Sequence, residues 1–121
     1  MTKNKNPKQY DLEDRTLEFA KAIRSFVKKL PKTMGNFEDG KQLIRSSGSV
    51  GANYIEANEA VSKKDFLFRI KICRKEAKES CYWLKLIDTN NIKGLEEARL
   101  SLITESTELM KIFGAILSKS L

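Results

Sequence analysis

The sequence predicts an all-α protein that folds as an antiparallel, up-down-up-down four-helix bundle. Four stretches carry apolar residues at three- and four-residue steps, the spacing that places side chains on one side of an α-helix. The connections between these stretches are short, so consecutive helices must run in opposite directions. No stretch alternates polar and apolar residues for long enough to form a strand. The 121 residues, with only two prolines, suit a single helical domain.

The first helix is predicted from about Asp11 to Leu30. Acidic residues in its first turn and lysines in its last turn both favour the helix dipole, and Pro31 ends it. Its apolar stripe consists of Leu12, Thr16, Phe19, Ile23, Phe26 and Leu30. We expect residues 1–10 to form a flexible basic arm and residues 11–121 to form the bundle domain.

The second helix is predicted to follow a loop over residues 31–36 and to run to about Asn58. Asn36 is the expected N-cap, with Asp39 at the third helical position. Three glycines each lower the intrinsic helix propensity by up to about 1 kcal/mol relative to alanine. They are Gly40, Gly48 and Gly51. Tertiary packing must therefore compensate for them.

The third helix is predicted from about Lys63 to Asp88, capped by Ser62 with Asp65 in the capping-box position. Its expected core face consists of Phe66, Ile70, Cys73, Ala77, Ser80 and Leu84. A turn over residues 89–91 precedes the fourth helix, which is predicted from about Lys93 to Lys119.

The far side of the third helix carries a row of lysines with one aromatic residue among them. The row consists of Lys64, Lys71, Lys75, Lys78 and Lys85, with Tyr82. Such a row can follow a phosphate backbone, and the aromatic ring can stack on a base. The alternative is an ordinary solvated face, because Glu76 and Glu79 interrupt the surroundings. The six residues of the row are the candidate nucleic-acid-binding residues.

Between these two faces lies a second apolar flank, formed by Phe68, Ile72, Trp83 and Leu86. A helix in a bundle normally buries one stripe, so this flank either widens the core or contacts another subunit. Tryptophan is enriched at the energetic centres of interfaces. We therefore predict that these four residues form an oligomer interface.

The residue types present argue against an enzyme. The net charge of +7 suits an anionic partner such as RNA, although it also serves solubility. The chain has no histidine, which removes the commonest general base and most zinc sites. Glycine-rich phosphate loops and the Glu-x-x-His pairs of di-iron bundles are also absent from the sequence. We predict no catalysis, no cofactor, no metal and no small-molecule substrate.

The cysteines and hydropathy indicate a cytoplasmic location. Cys73 and Cys81 lie eight residues apart, which on one helix is about 12 Å and too far for a disulfide. Two free thiols favour a reducing compartment. No apolar run approaches the roughly 20 residues that a membrane span requires, so no membrane association is expected.

The second helix also carries a polar row, opposite its core stripe, that consists of Arg45, Ser49, Asn53 and Glu56. The row is an outer face, a subunit contact or a binding site, and the sequence leaves these open. A small-molecule site there is the weakest of the three functional hypotheses. A buried arginine or glutamate in this row would need a charged partner from another element or another subunit.

Residues 45–57 of the second helix resemble the signature of the 23S ribosomal RNA intervening-sequence proteins, also called the S23 family. The matching residues are Arg45, Ser47, Ser49, Val50, Ala52, Asn53, Glu56 and Ala57. The similarity continues through Ser62 to Phe66 and from Lys75 to Leu84, and is strongest over residues 42–87. Asn58 is a minor departure, because the family usually has glycine or a charged residue there.

The resemblance implies a left-handed bundle that assembles into a ring-like homopentamer in the bacterial cytoplasm. RNA binding is the usual conjecture for the family, and no catalytic residues can be transferred from it. The leading hypothesis is therefore a non-catalytic, oligomeric protein that binds RNA, associated with ribosomal RNA, through a basic surface. The alternative is a protein-interaction scaffold without a nucleic-acid role.

Overall fold

The computed structural model describes residues 11–120, which form four α-helices and contain no β-strand. The helices are α1 (Leu12–Lys28), α2 (Met34–Asn58), α3 (Lys63–Leu86) and α4 (Lys93–Ser120). The all-α class and the four helices are thus confirmed. The predicted basic arm, residues 1–10, lies outside the described residues. Within residues 11–120, no helix is long and apolar enough to cross a bilayer.

Each helix packs on its neighbour in sequence, and α1 also packs on α4, which closes the bundle. The packing of α2 on α3 is the most extensive, and that of α1 on α4 is the slightest. Short loops reverse the chain three times, so α1 and α3 end where α2 and α4 begin. We call this the upper end of the bundle, and the end that holds the α2–α3 loop the lower end.

The core is built from the predicted stripes. In α1, Phe19, Ile23 and Phe26 are buried, and Leu30 stays in the core although α1 ends two residues before it. The predicted core face of α3 is buried except for Phe66, which is half-buried. The other helices contribute Leu43, Val50, Ala57, Leu95, Leu102, Leu109, Phe113 and Leu117. The Cys73 thiol donates to the Val50 carbonyl oxygen at 3.4 Å, and burial raises its pKa to about 12.

The predicted start of α2 is wrong, because Thr33 rather than Asn36 is its N-cap. Thr33 has extended backbone, and its hydroxyl oxygen accepts a hydrogen bond from the backbone N–H of Asn36 at 3.1 Å. The Asn36 side chain is buried and serves the opposite loop instead. The side-chain nitrogen of Asn36 donates to the carbonyl oxygens of Asp88 (2.7 Å) and Pro31 (3.0 Å), and its side-chain oxygen accepts the backbone N–H of Asp88 (3.0 Å). Asn36 therefore ties the two upper loops together.

The predicted cap of α3 is confirmed, since the Ser62 hydroxyl accepts the Asp65 amide at 3.0 Å. The Asp65 carboxylate accepts the amide of Val61. At the other end, α3 stops at Leu86, two residues before the predicted end, because Ile87 turns into extended backbone. The following turn places Asn90 and Asn91 in the left-handed region, with φ of 57° each, which asparagine tolerates better than most residues.

Close approach of α1 and α2 explains the glycine at position 51. A β-carbon on Gly51 would lie 2.8 Å from the Thr16 hydroxyl oxygen and 3.2 Å from the Thr16 β-carbon. Thr16 is buried and its hydroxyl donates to the Leu12 carbonyl oxygen at 2.7 Å, so it has little freedom to move away. The packing gained at this contact offsets the low helix propensity of the glycine.

Replacing Gly51 by alanine should therefore destabilise the protein. We expect a net loss of about 1–2 kcal/mol, because overpacking against Thr16 outweighs the gain in helix propensity. Gly114→Ala in α4 is the matched control. Its β-carbon would meet only the Arg74 Cδ, at 3.8 Å, so we expect a gain of about 0.5–1 kcal/mol. Urea unfolding measures both, and a Gly51→Ala protein as stable as wild type would contradict the close approach.

Replacing Asn36 by alanine should also destabilise the bundle. The change removes three hydrogen bonds and leaves partly buried backbone groups of the two loops unpaired, so we expect a loss of about 2–4 kcal/mol. Asn58→Ala is the control, because Asn58 is exposed and its amide donates to the Glu13 carboxylate; there we expect a loss below about 1 kcal/mol. Similar free energies of unfolding for the two variants would show that Asn36 does not join the loops.

Candidate nucleic-acid interface

Positive charge is concentrated on α3. This helix carries eight lysine and arginine residues and three acidic ones. In contrast, α2 has two basic and three acidic residues, and α4 has four of each. Most of the net charge of +7 therefore lies on one helix, and its outward surface is the natural candidate for contact with a polyanion.

A groove between α3 and α4 collects these cations. Its volume is about 680 Å³. We call it the basic groove, and it is lined by Lys71, Arg74, Lys75, Lys78, Met110, Lys111 and Gly114. The five cations are all exposed, and the lining contains no carboxylate. The groove is thus a concave, positively charged trough.

A second depression adjoins the basic groove toward the lower end of α3. We call it the hollow, with a volume of about 430 Å³, and it is lined by Lys63, Lys64, Leu67, Phe68 and Lys71. Lys71 belongs to both depressions, so they form one continuous surface along α3 from Lys63 to Lys78. Phe68 is 56% exposed in the hollow, which gives this surface an aromatic ring among lysines.

The structure brings together only part of the predicted lysine row. Lys71, Lys75 and Lys78 line the basic groove, and Lys64 lines the hollow. Lys85 and Tyr82 are exposed but line neither depression, and the Tyr82 ring packs edge-on against Trp83 with centroids 5.0 Å apart.

Sequence reasoning missed three cations of this surface. Lys63 and Arg74 lie beside the predicted row, on the side of α3 that faces α4, and Lys111 comes from α4 itself. Helical spacing alone could have added Lys63 and Arg74 as neighbours of the row. No sequence pattern indicated Lys111, because its place in the groove depends on how α4 packs against α3.

The predicted interface flank is divided by the fold. Phe68 and Leu86 are exposed, at 56% and 50%. Ile72 and Trp83 are half-buried, and Trp83 packs against the core while its indole N–H donates to Glu79 at 2.9 Å. Part of the flank therefore widens the core, which was one of the two alternatives. Contact with another subunit stays a prediction for the exposed part.

Arg45, from the polar row of the second helix, reaches across to α3. Its guanidinium pairs with Glu76 at 3.4 Å and with Glu79. Glu76 is only 6% exposed, so Arg45 is the countercharge that a buried carboxylate requires. Both glutamates thus turn toward α2 and leave the lysines on the other side uninterrupted, which removes the main objection to a continuous basic surface.

Hydrogen bonds keep Glu79 ionised despite its partial burial. Burial raises the pKa of Glu79, but the bonds donated by the Trp83 indole and by Arg45 outweigh it and hold this pKa below its ordinary value. The same bond with Glu79 raises the pKa of Arg45. The pair is therefore charged throughout the neutral pH range.

Asn53 and Ser49 make a second connection between α2 and α3. The Asn53 amide nitrogen donates to the Ser49 carbonyl and hydroxyl oxygens, both at 2.9 Å, and its oxygen accepts from the Arg69 guanidinium at 3.0 Å. The Arg69 guanidinium carbon lies 5.8 Å from the centroid of the Phe68 ring. Glu56 is exposed. The polar row therefore bonds α2 to α3, and through Arg69 it reaches the edge of the hollow.

An apolar groove of about 600 Å³ lies on a different face, where α1 and α4 pack least closely. Its lining includes the small residues Ala22, Ser25, Gly94, Ala98 and Ser101. Phe26, Leu95 and Leu102 also line it, with Lys29 as its one cation. This groove suits contact with a protein surface better than contact with a polyanion.

Comparisons with known proteins agree with this architecture. The family model described as 23S rRNA-intervening sequence protein matches residues 8–115. A crystal structure of a protein with unknown function from the S23 ribosomal protein family, from Bacteroides thetaiotaomicron VPI-5482, is 34% identical, with a TM-score of 0.75. The match covers 88% of this chain and 98% of that one. The comparison with curated proteins gave no match. The resemblance read from the sequence is confirmed, and the chain belongs to the family of 23S rRNA-intervening sequence proteins.

Proposed function

We propose that this protein is a non-catalytic, oligomeric bundle of the cytoplasm that binds RNA through the basic groove. The observation that carries the proposal is the lining of that groove, where α3 and α4 together supply five cations and no carboxylate. Lysine and arginine side chains that converge on one trough can neutralise several consecutive phosphates.

The mechanism of binding is electrostatic. Each phosphate neutralised releases condensed counterions, so four or five contacts give a dependence of log K on log salt with a slope of about −3 to −4. Phosphate contacts position a nucleic acid without reading its bases, so we expect weak sequence specificity. The family description names an intervening sequence of 23S rRNA, which favours RNA as the polyanion.

The polar residues of the α2–α3 seam support a role without catalysis. Arg45 is held by two glutamates, and Asn53 is held by Ser49 and Arg69. These groups satisfy one another rather than pointing at a shared substrate position. Together with a sequence that lacks histidine, this arrangement favours a binding protein over an enzyme.

We also propose that the chain forms a ring-like homopentamer, as the family resemblance implies. A closed ring with five members needs two different contact faces on each copy. The exposed apolar surface around Trp83 and Leu86 on α3 supplies one candidate face. The apolar α1–α4 groove, with its small lining residues, supplies a concave second face.

The same α1–α4 groove favours the second candidate function, a scaffold for another protein. An apolar groove of about 600 Å³ is large enough to receive side chains from a partner. In that case the charge of α3 would serve solubility alone. Failure of RNA to bind, with the oligomer intact, would favour this function.

The RNA-binding proposal predicts that neutralising the groove weakens binding more than neutralising other lysines. In the triple variant Lys71→Gln, Lys75→Gln and Lys78→Gln, we expect about 10²-fold weaker binding at 100 mM salt and a salt slope flatter by about 2. A matched triple variant changes three exposed lysines outside the groove, namely Lys21→Gln, Lys41→Gln and Lys93→Gln.

Fluorescence anisotropy with labelled fragments of ribosomal RNA, measured from 50 to 300 mM salt, compares the two triple variants. Both carry the same net charge, so the matched variant should lose much less affinity. Equal losses would assign binding to overall charge rather than to the basic groove. A wild-type protein that binds no RNA at low salt would overturn the proposed function.

The oligomer proposal predicts that a charge at Leu86 breaks the assembly without unfolding the chain. Leu86 is half-exposed in the single chain, so Leu86→Glu should leave the helix content unchanged while the glutamate is excluded from an apolar contact. Light scattering should give the mass of five chains for wild type and of one for the variant. Leu17→Glu, at an equally exposed leucine of α1, is the control. If wild type had the mass of a single chain at micromolar concentration, the homopentamer would be refuted.

A further inference from the structure

We infer that the hollow beside the basic groove binds an unpaired base of single-stranded RNA, stacked on the ring of Phe68. The inference rests on the proposed function, because the basic groove has to hold the backbone of the same strand. It adds a class of ligand, single-stranded rather than double-stranded RNA, and it gives the polar row of α2 a part in recognition.

The surroundings of Phe68 are those of a stacking platform. The ring is 56% exposed, and the hollow places it with Lys63, Lys64 and Lys71 around one further apolar residue, Leu67. Aromatic rings interleaved with cations are the common means by which proteins hold single strands, since every base has a face that stacks. Phosphates on either side of a stacked base would meet the ammonium groups.

The Phe68 ring is held in position from the α2 side. The Arg69 guanidinium carbon lies 5.8 Å from the ring centroid, within the range of a cation–π interaction. Arg69 is bound by the Asn53 oxygen at 3.0 Å, and the Asn53 amide is bound by Ser49 at 2.9 Å. Ser49 and Asn53 are therefore positioning residues, which act on the base only through Arg69 and Phe68.

The continuity of the two depressions favours a strand over a duplex. Lys64 in the hollow and Lys78 in the basic groove lie fourteen residues apart on α3, which is about 21 Å along the helix. Helices that pack side by side have axes about 8–10 Å apart, so the trough between α3 and α4 is narrower than a nucleic-acid double helix. In a duplex the bases are already paired and stacked, and extracting one costs unpairing energy.

The lysines favour RNA over a second subunit as the contact of Phe68, although its flank was predicted to form an oligomer interface, and leave that prediction to Leu86. Lysine is depleted from the cores of protein interfaces, because its ammonium group has to be desolvated there. Three lysines share the hollow with Phe68, and among the residues that line the hollow there is no acidic partner for them. A polyanion supplies that countercharge, whereas a second copy of this basic helix does not.

Fluorescence anisotropy at 100 mM salt with a 12-nucleotide oligouridine and with a 12-base-pair RNA duplex tests the inference. We expect wild type to bind the single strand at least tenfold more tightly. Phe68→Ala should lose about tenfold on the single strand, the effect typical of removing one stacking platform, and less than twofold on the duplex. Phe68→Tyr should retain single-strand affinity. Phe37→Ala is the control, because Phe37 is an exposed phenylalanine of α2 with Lys41 5.1 Å from its ring.

The positioning residues are tested with two variants of Asn53. Asn53→Ala removes the acceptor of Arg69 and should lower single-strand affinity about threefold to fivefold, with duplex affinity unchanged. Asn53→Asp keeps an oxygen for Arg69 and should restore most of that loss, which a merely structural role would not predict.

The outcomes separate this inference from the proposed function. Equal affinity for strand and duplex, with Phe68→Ala unchanged, would overturn the stacking platform and leave the basic groove in place. If Phe68→Ala changed the oligomeric mass measured by light scattering, the Phe68 side chain would be reassigned to a contact between subunits. If wild type binds neither RNA, both the proposed function and this inference fail.

Discussion

The carboxylate of Glu76 lies almost wholly inside the seam between α2 and α3, and Arg45 supplies its countercharge. A buried carboxylate without a partner is strongly destabilising, by about 3–5 kcal/mol when the partner is removed. The pair therefore holds α2 and α3 in one register. From this register follow the ion pair of Arg45 with Glu79 and the hydrogen bond between Asn53 and Arg69. The most extensive helix pair in the bundle is thus also the one with the most specific polar contacts.

The polar contacts between α2 and α3 also determine which side of α3 carries its positive charge. All three acidic residues of this helix are engaged, Asp65 in the N-terminal cap and both glutamates with Arg45. Among the basic residues of α3, Arg69 turns toward α2, whereas Lys71, Arg74, Lys75 and Lys78 line the groove. The glutamates of α3 are therefore paired on the side that faces α2. The basic groove on the other side of this helix is lined by cations without a carboxylate.

Periodicity predicted the four helices, because a 3.6-residue repeat of apolar residues is a local property of each segment. The Ser62 cap was predicted for the same reason, since the cap and its partner Asp65 lie three residues apart. Asn36 was misassigned because both Thr33 and Asn36 are suitable N-cap types. The choice depends on Asp88, which is 52 residues away in the chain.

The candidate site shows the same division between local and distant information. Lys71, Lys75 and Lys78 share a face through helical spacing alone, so the sequence identified them. Lys111 joins them only because α4 packs on α3 in one particular register. Trp83 was expected at an interface, yet its indole N–H donates to Glu79 and its side chain packs against the core. Pairings between helices are set by tertiary packing, and one sequence does not show them.

Charge and assembly constrain each other in the proposed ring. Copies that brought their basic grooves together would repel, so the grooves have to be separated by the apolar contacts and to face solvent. Several grooves repeated around one ring can then engage one RNA at the same time, and the effective concentration of each further groove is high once the first has bound. Modest affinity at a single groove is therefore sufficient for tight binding by the assembly. The use of several grooves also makes the affinity of the assembly for RNA steeply dependent on salt, because every groove adds its own phosphate contacts.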